Sequence, residues 1–223
     1  MSVADEVREA AAVVFACPLD VASAIAAKSR DGNFLRDSVI LRQGERAADS
    51  YMIYTGRAQA VAFSASGHST LLAEYDVGDL FGALPGETDT ENEAEIVAAE
   101  DVRTLIFRAL DLLALAERHA AVGLTLSKAL VRRLRKTSRR MVAQVTLSAA
   151  GRVHAELLRL GNASQESMTI RPAPVMTTLA ARLSTTRETV SRTVSALERR
   201  GIVRREDGAL VIAAPSRLES MVV

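Results

Sequence analysis

From Val39 to Phe107 the chain runs as short apolar segments punctuated by glycine, a texture that suits strands and turns rather than helices. Val39-Ile40-Leu41, Tyr51-Met52-Ile53-Tyr54, Ala58 to Phe63, Thr70 to Tyr75, Ile96 to Ala98 and Thr104 to Phe107 are separated by Gly44, Gly56, Ser66-Gly67, Gly78 and Gly82. The glycines mark turns that need a positive φ or a close backbone approach, so a compact all-β, barrel-like unit is expected. Ahead of it, Ala4 to Val14 and Leu19 to Lys28 read as short helices.

Helical periodicity takes over at Leu110, first to about His119 and then along a long segment from about Val122 to Val145. There Leu126, Leu130, Leu134, Thr137, Met141 and Val145 recur every three or four residues, the spacing of a coiled-coil seam. Arg132, Arg133, Arg135, Lys136, Arg139 and Arg140 crowd its middle and leave only a narrow apolar stripe. Two partners suit the stripe, the same helix of a second copy or the chain's own β unit, and its narrowness favours a parallel homodimer. Two-fold symmetry would present two identical heads to a palindromic site.

Beyond a break near Ser148 to Gly151, Arg152 to Leu160 forms another amphipathic helix, and Gly161 to Pro174 reads as a loop. A short helix at Thr177 to Leu183 and a longer one at Arg187 to Arg200 follow. Asp207-Gly208 then turns Ile202-Val203-Arg204 back onto Ala209 to Ile212 as a hairpin. Helix, helix and hairpin make a winged helix-turn-helix. The expected domains are 1–120, a long helix over 121–145, and 146–223.

The charge is divided in the same place. Residues 1–131 hold 11 Lys and Arg against 20 Asp and Glu, net −9, whereas 132–223 hold 17 against 7, net +10. An acidic module joined to a basic one points to a polyanionic partner for the second. With 48% hydrophobic residues the chain can build packed cores, and no apolar run nears the roughly 20 residues a membrane span needs. The first residues carry Asp5, Glu6 and Glu9 where a signal peptide would be basic, so a cytoplasmic protein with no membrane partner is expected. A single cysteine, Cys17, leaves no thiolate zinc site, and it reads as a small apolar residue beside Pro18.

The basic segment contains the clearest candidate site. Thr186 stands before Arg187 as an N-cap, its hydroxyl able to accept from the Thr189 N–H. At about 100° per residue, Val190, Val194 and Leu197 share one side of the helix, and Arg187, Glu188, Ser191 and Arg192 share another. Arginine can donate twice to guanine O6 and N7, and glutamate can accept from cytosine N4. Thr177, Thr178 and Thr185 stand near two helix N-termini, where phosphates bind, and Thr177 is the candidate cap of the first of them. An ion-paired, solvated face would use the same residue types, but the preceding short helix, the Ser184-Thr185 turn, the hairpin and the positive charge all favour DNA reading.

Four motifs extend that reading. Gln43-Gly44-Glu45-Arg46-Ala47 with Tyr51, Ile53 and Gly56, then Gly78-Asp79-Leu80-Phe81-Gly82, Val131-Arg132-Arg133-Leu134 and Arg187-Glu188-Thr189-Val190-Ser191-Arg192 together resemble the cyclic-AMP receptor protein and FNR family of bacterial transcription regulators. The resemblance covers nearly the whole chain. It implies an α+β fold, with an N-terminal cyclic-nucleotide-binding-like β-roll, a long dimerisation helix and a C-terminal winged helix-turn-helix. It also implies a homodimer on a palindrome, and the Arg, Glu, Arg trio is similar to that of members reading TGTGA-type half-sites. Ser184 departs from the glycine common at the turn, and Val175 from the usual Thr or Ser cap.

In members that bind cyclic AMP, the phosphate lies after Gly-Glu-Leu and pairs with an arginine followed by Ser or Thr. Aligned without a gap from Gly78 to Val97, those places hold Gly82-Ala83-Leu84 and Glu93-Ala94. A carboxylate there repels a phosphate and offers no donor. Glu87, Asp89, Glu91, Glu93 and Glu95 add an acidic run that disfavours any anion and reads as a solvated loop rather than a calcium site. Thr137-Ser138 does match the pair that meets adenine in the family. Phe81, Gly82, Ala83, Leu84, Glu93, Ala94, Thr137 and Ser138 are therefore the candidate effector pocket, with cyclic AMP not expected to control it.

No cofactor, iron–sulfur cluster or metal is expected, and His68 in its turn reads as solvated. The expected partners are double-stranded DNA, a second copy of the chain and RNA polymerase. An enzyme is not expected, since no nucleophile motif, Walker-type loop or metalloprotease pattern occurs. The competing reading is an effector-binding or protein-interaction module whose tail no longer reads DNA.

Overall fold

The computed structural model describes residues 2–63, 69–84, 90–163 and 168–222, which form two compact units, Met1–Thr137 and Ser138–Val223. The first opens with helices α1 (Val3–Val14) and α2 (Leu19–Ala27). Ser2 caps α1: its Oγ accepts from the Asp5 N–H at 3.2 Å while the Asp5 carboxylate accepts from the Ser2 N–H at 3.3 Å. Val7, Ala11 and Phe15, each one turn apart, turn inward.

Among the described residues ten strands follow: β1 (Ser29–Phe34), β2 (Val39–Leu41), β3 (Arg46–Ala47), β4 (Asp49–Thr55), β5 (Ala58–Phe63), β6 (Ser69–Tyr75), β7 (Leu80–Gly82), β8 (Thr90–Glu91), β9 (Glu95–Ala98) and β10 (Val102–Arg108). They pair antiparallel in the orders β1-β10-β4-β7 and β2-β9-β5-β6, with a small β3-β8 ribbon. The first sheet is covered on both faces. Ile53, Phe81 and Val102 join the core inside the roll, whereas Met52, Leu80, Leu105 and Phe107 join the core of α1, α2 and the two helices that follow. Burial on both faces explains why Thr104 to Phe107 reads as an unbroken apolar run instead of alternating.

The sequence-visible strands are all present, but β1, β3, β7 and β8 are additional. β1 is Ser-Arg-Asp-Gly-Asn-Phe, whose residues carry no strand pattern; pairing with β10 along its whole length makes it one. Two glycines bear out the turn argument. A Cβ on Gly56 (φ +81°) would fall on the Asp101 carbonyl, and one on Gly82 (φ +83°) would lie 2.5 Å from the Asp49 carbonyl oxygen. Ser66-Gly67-His68, Glu87 and Asp89 lie outside the described residues.

α3 (Ala109–Arg118) and the long α4 (Ala120–Thr146) continue the chain. Val122, Leu126 and Ala129 of α4 are buried, and Val122 and Leu126 belong to the helix-side core. Leu126 is thus no part of a free seam, a correction to the sequence reading: its turn of the helix packs on its own unit. Further along, Arg132 reaches Asp79 (3.2 Å) and the Gly78 carbonyl (2.6 Å), and Lys136 reaches Asp76 (2.8 Å) and Asp79 (3.1 Å). The basic helix is therefore fastened to the acidic turn before β7.

The second unit takes in the end of α4 from Ser138, then α5 (Ala149–Leu160), β11 (Asn162–Ala163), β12 (Met168–Ile170), α6 (Met176–Arg182), α7 (Arg187–Arg199), β13 (Val203–Glu206), β14 (Ala209–Ile212) and α8 (Pro215–Glu219). The break before α5 is short: Ser148 caps the helix, its Oγ accepting from the Gly151 N–H at 3.0 Å, and Gly151 lies inside the helix. The segment Gly161 to Pro174 is not all loop. β11 and β12 extend the hairpin into a sheet of order β11-β12-β14-β13, with Met168 opposite Ile212 and Ile170 opposite Leu210. Three residues give too short a pattern to mark β12 before its partner strand is known.

Candidate nucleic-acid interface

The helix α7 forms as its residues dictate. Thr186 is the N-cap, its Oγ1 accepting from the Thr189 N–H at 3.2 Å. Val190, Val194 and Leu197 are buried with Leu157, Leu179, Ile202 and Ile212. Arg187, Glu188, Ser191 and Arg192 are exposed. Packing on one side thus aims the bonding groups of the other side outward as a set. Arg192 rests on Glu188 at 3.1 Å, an exposed i,i+4 pair worth about 0.3–0.5 kcal/mol, too weak to hold either group back from a stronger partner.

The neighbouring helix differs in one detail from expectation. Val175, not Thr177, is the N-cap of α6, with no side-chain bond, and Thr177 lies inside the helix. The cap is lost because the helix starts one residue before Thr177. Thr177 and Thr178 are nevertheless exposed in its first turn, and Thr185 is half-buried with its N–H on the Ala180 carbonyl at 3.0 Å. Ser184 takes the left-handed turn conformation, φ +49°, that suits glycine.

Α buried ion cluster joins α5 to α6. Glu156 accepts from Arg159 through both oxygens at 2.7 Å and from Arg182 at 2.9 Å. Burial alone would raise its pKa, but the two guanidiniums outweigh that and hold the carboxyl below its usual range. The wing adds basic groups that the sequence reading passed over. Arg204 and Arg205 on β13 are exposed, Arg205 pairs with Glu198 at 2.7 Å, and Arg171 donates to the Asp207 carbonyl at 2.8 Å across the wing tip. Their signal was the pair of arginines just before the Asp207-Gly208 turn.

Of the eight candidate pocket residues, seven lie in the first unit and Ser138 begins the second. Phe81 and Ala94 join the core inside the roll, Ala83 packs with Ala47 and Ala109, and Leu84 lies against the helix-side core. Glu93, Thr137 and Ser138 are exposed. The Ala83 backbone is held by β4 on both sides, the Ser50 hydroxyl donating to the Ala83 carbonyl at 2.6 Å and the Ala83 N–H to the Asp49 carbonyl at 2.9 Å.

Aromatic rings occupy the roll beside Phe81: Tyr51 stacks on it at 5.1 Å and Tyr75 is tilted against it at 5.3 Å. Burial pushes the Tyr75 hydroxyl up, and Arg133, 5.5 Å from the ring centre, opposes this. Along α4, Leu130, Leu134, Met141 and Val145 are exposed. Among the described residues no group of three or more metal-ligating side chains occurs, and no single helix is long and apolar enough to cross a membrane.

An outward-facing helix with arginine, glutamate and serine, seated on a second helix and flanked by a basic two-stranded wing, defines a winged helix-turn-helix DNA-binding protein. Residues 151–221 match the Crp-like helix-turn-helix domain family, and residues 32–119 the cyclic nucleotide-binding domain family. The cyclic AMP receptor protein of Thermus thermophilus is 31% identical over 183 residues, 82% of this chain and 83% of that protein.

FixK2 from Bradyrhizobium japonicum shares the fold at a TM-score of 0.68 and 23% identity, over 87% of this chain and 98% of that one. So does CLP of Xanthomonas campestris, a c-di-GMP responsive global regulator, at 0.75 and 15%, over 88% and 100%. The chain belongs to the CRP/FNR family of transcription regulators.

Proposed function

We propose that this regulator works as a homodimer on a palindromic DNA site with TGTGA-like half-sites, and that cyclic AMP does not switch it. The carrying observation is the joint exposure of Arg187, Glu188, Ser191 and Arg192 on a helix whose other side is fully packed. Each recognition helix enters a major groove, and two helices about 34 Å apart read half-sites one turn apart. Exposed Thr177, Thr178, Arg204 and Arg205 supply phosphate contacts that fix register and make binding salt-dependent.

The stripe of Leu130, Leu134, Met141 and Val145 supports the dimer, because exposed apolar residues at this spacing suit a second copy of the helix. Against cyclic AMP stand the absence of any polar side chain at Ala83, which is fully buried among alanines, and the carboxylate of Glu93. The protein works in the cytoplasm with the chromosome, and RNA polymerase is its downstream partner. Selection of duplexes from random DNA by the purified protein, with and without cyclic nucleotides, tests the proposal. Enrichment of a palindrome under both conditions is expected; no enrichment under either sinks it.

A further inference from the structure

The turn between α6 and α7 is held from outside itself. Its own backbone bonds, Leu183 N–H to the Leu179 carbonyl (2.9 Å) and Thr185 N–H to the Ala180 carbonyl (3.0 Å), use carbonyls of the α6 interior. The two carbonyls at the end of α6 are instead taken by arginines from other helices. Arg140 of α4 donates to the Arg182 carbonyl at 3.0 Å, and Arg152 of α5 donates through Nε to the Leu183 carbonyl at 3.1 Å. Arg152 also donates to the Leu147 carbonyl at 3.1 Å, so one guanidinium joins the α4–α5 junction to the turn. Gln144, one helical turn beyond Arg140, donates to the Ser184 hydroxyl at 3.0 Å.

Ser184 is the residue this arrangement serves. A left-handed conformation costs a residue with a Cβ about 1–2 kcal/mol, and the side chain that glycine would lack is the one Gln144 holds. Bonds from charged donors to carbonyls at a helix C-terminus also favour the helix dipole. Three donors thus converge on three consecutive residues, Arg182, Leu183 and Ser184, which together set the angle at which α7 leaves α6.

We infer that Arg140, Gln144 and Arg152 are positioning residues for DNA recognition: they fix the helix-turn-helix angle, with no need to touch DNA. The inference rests on α7 being the reading helix. It also explains the serine at a turn position where glycine is common in the family, since here the hydroxyl is a handle for the end of α4.

The variants Arg140→Met with Gln144→Ala, in the full chain, test it in two independent ways. Amide hydrogen exchange of the DNA-free protein at Ser184 and Thr185 is expected to quicken by about tenfold, with Tm little changed, because the bonds that Arg140 and Gln144 make to the turn are lost. Unchanged exchange overturns the grip whatever α7 reads. Affinity for a duplex selected by the unaltered protein is expected to fall about tenfold, with affinity for a scrambled duplex within about twofold and the salt slope unchanged.

Equal loss on both duplexes, with a slope smaller by about one per subunit, would make Arg140 a phosphate contact and overturn the inference. Arg140→Lys keeps one charged donor and is expected to recover most of the specific affinity. If it recovers none while exchange returns to normal, the grip is structural only and the positioning role is refuted. Faster exchange in the double variant when the unaltered protein selects no site refutes the DNA reading of α7 and leaves no positioning role.

Discussion

Replacing Arg192 with alanine separates base reading from every other use of that arginine. In the free protein Arg192 pairs with Glu188 at 3.1 Å, with the two side chains 69% and 82% exposed, so losing that pair changes folding stability by no more than about 0.5 kcal/mol. On DNA a bidentate arginine–guanine contact discriminates by about 1–3 kcal/mol. A two-fold dimer uses the contact twice, so the loss on a palindrome is about 2–6 kcal/mol, which is about 30-fold to 20,000-fold in affinity. Fluorescence anisotropy on a selected palindrome and on duplexes substituted one base pair at a time measures both size and position. The variant should become indifferent at one base pair per half-site while keeping its preferences elsewhere. A loss of equal size on every duplex, with a reduced salt slope, would refute the reasoning and make Arg192 a phosphate contact.

Other outcomes follow from the same structure. Leu134→Lys places a cation in the exposed stripe between Arg133 and Arg135 and should yield monomers by sedimentation, with the helix-turn-helix unit still folded; an intact dimer would move the interface elsewhere. Calorimetry should show no binding of cyclic AMP at micromolar concentration, and a micromolar isotherm would contradict the assignment of Glu93 and Ala83. Ala83→Glu should lower the Tm, since it buries a carboxylate among Ala47 and Ala109 at a cost of about 2 kcal/mol or more. Glu156, whose pKa is lowered on folding, stabilises the second unit above its ordinary value of 4.5, and that contribution is lost as pH falls through the lower folded value. Glu156→Gln should therefore reduce the difference in Tm between pH 7 and pH 3, and an unchanged difference would show the cluster to be energetically silent.

Legibility in the sequence followed locality. α7 needed only its own thirteen residues and their cap, since Thr186 and the spacing of Val190, Val194 and Leu197 settle which side is buried. The two-residue turn Asp207-Gly208 settled the wing in the same way. β1 and β12 were illegible because their strand character comes from pairing with β10 and β14, far along the chain. The seam was legible in part. Its period identified the helix, but the period continues past the last buried turn of the helix, so nothing local told buried Leu126 from exposed Leu130.

The sequence by itself determined that this chain is a glycine-punctuated β unit, a long basic helix and a winged helix-turn-helix, and which four side chains of α7 stay exposed. Those are matters of period, cap and turn chemistry, each decided within one or two helical turns. Only the tertiary structure decided which residues hold the turn before α7. Arg140 and Gln144 read as part of the long basic helix and Arg152 as the start of the next one, until folding brings them against Arg182, Leu183 and Ser184, from 31 to 42 residues away. A hydrogen bond between segments so distant leaves no periodic trace, because it depends on where two separately stable helices come to rest, and that is set by the shared core beneath them.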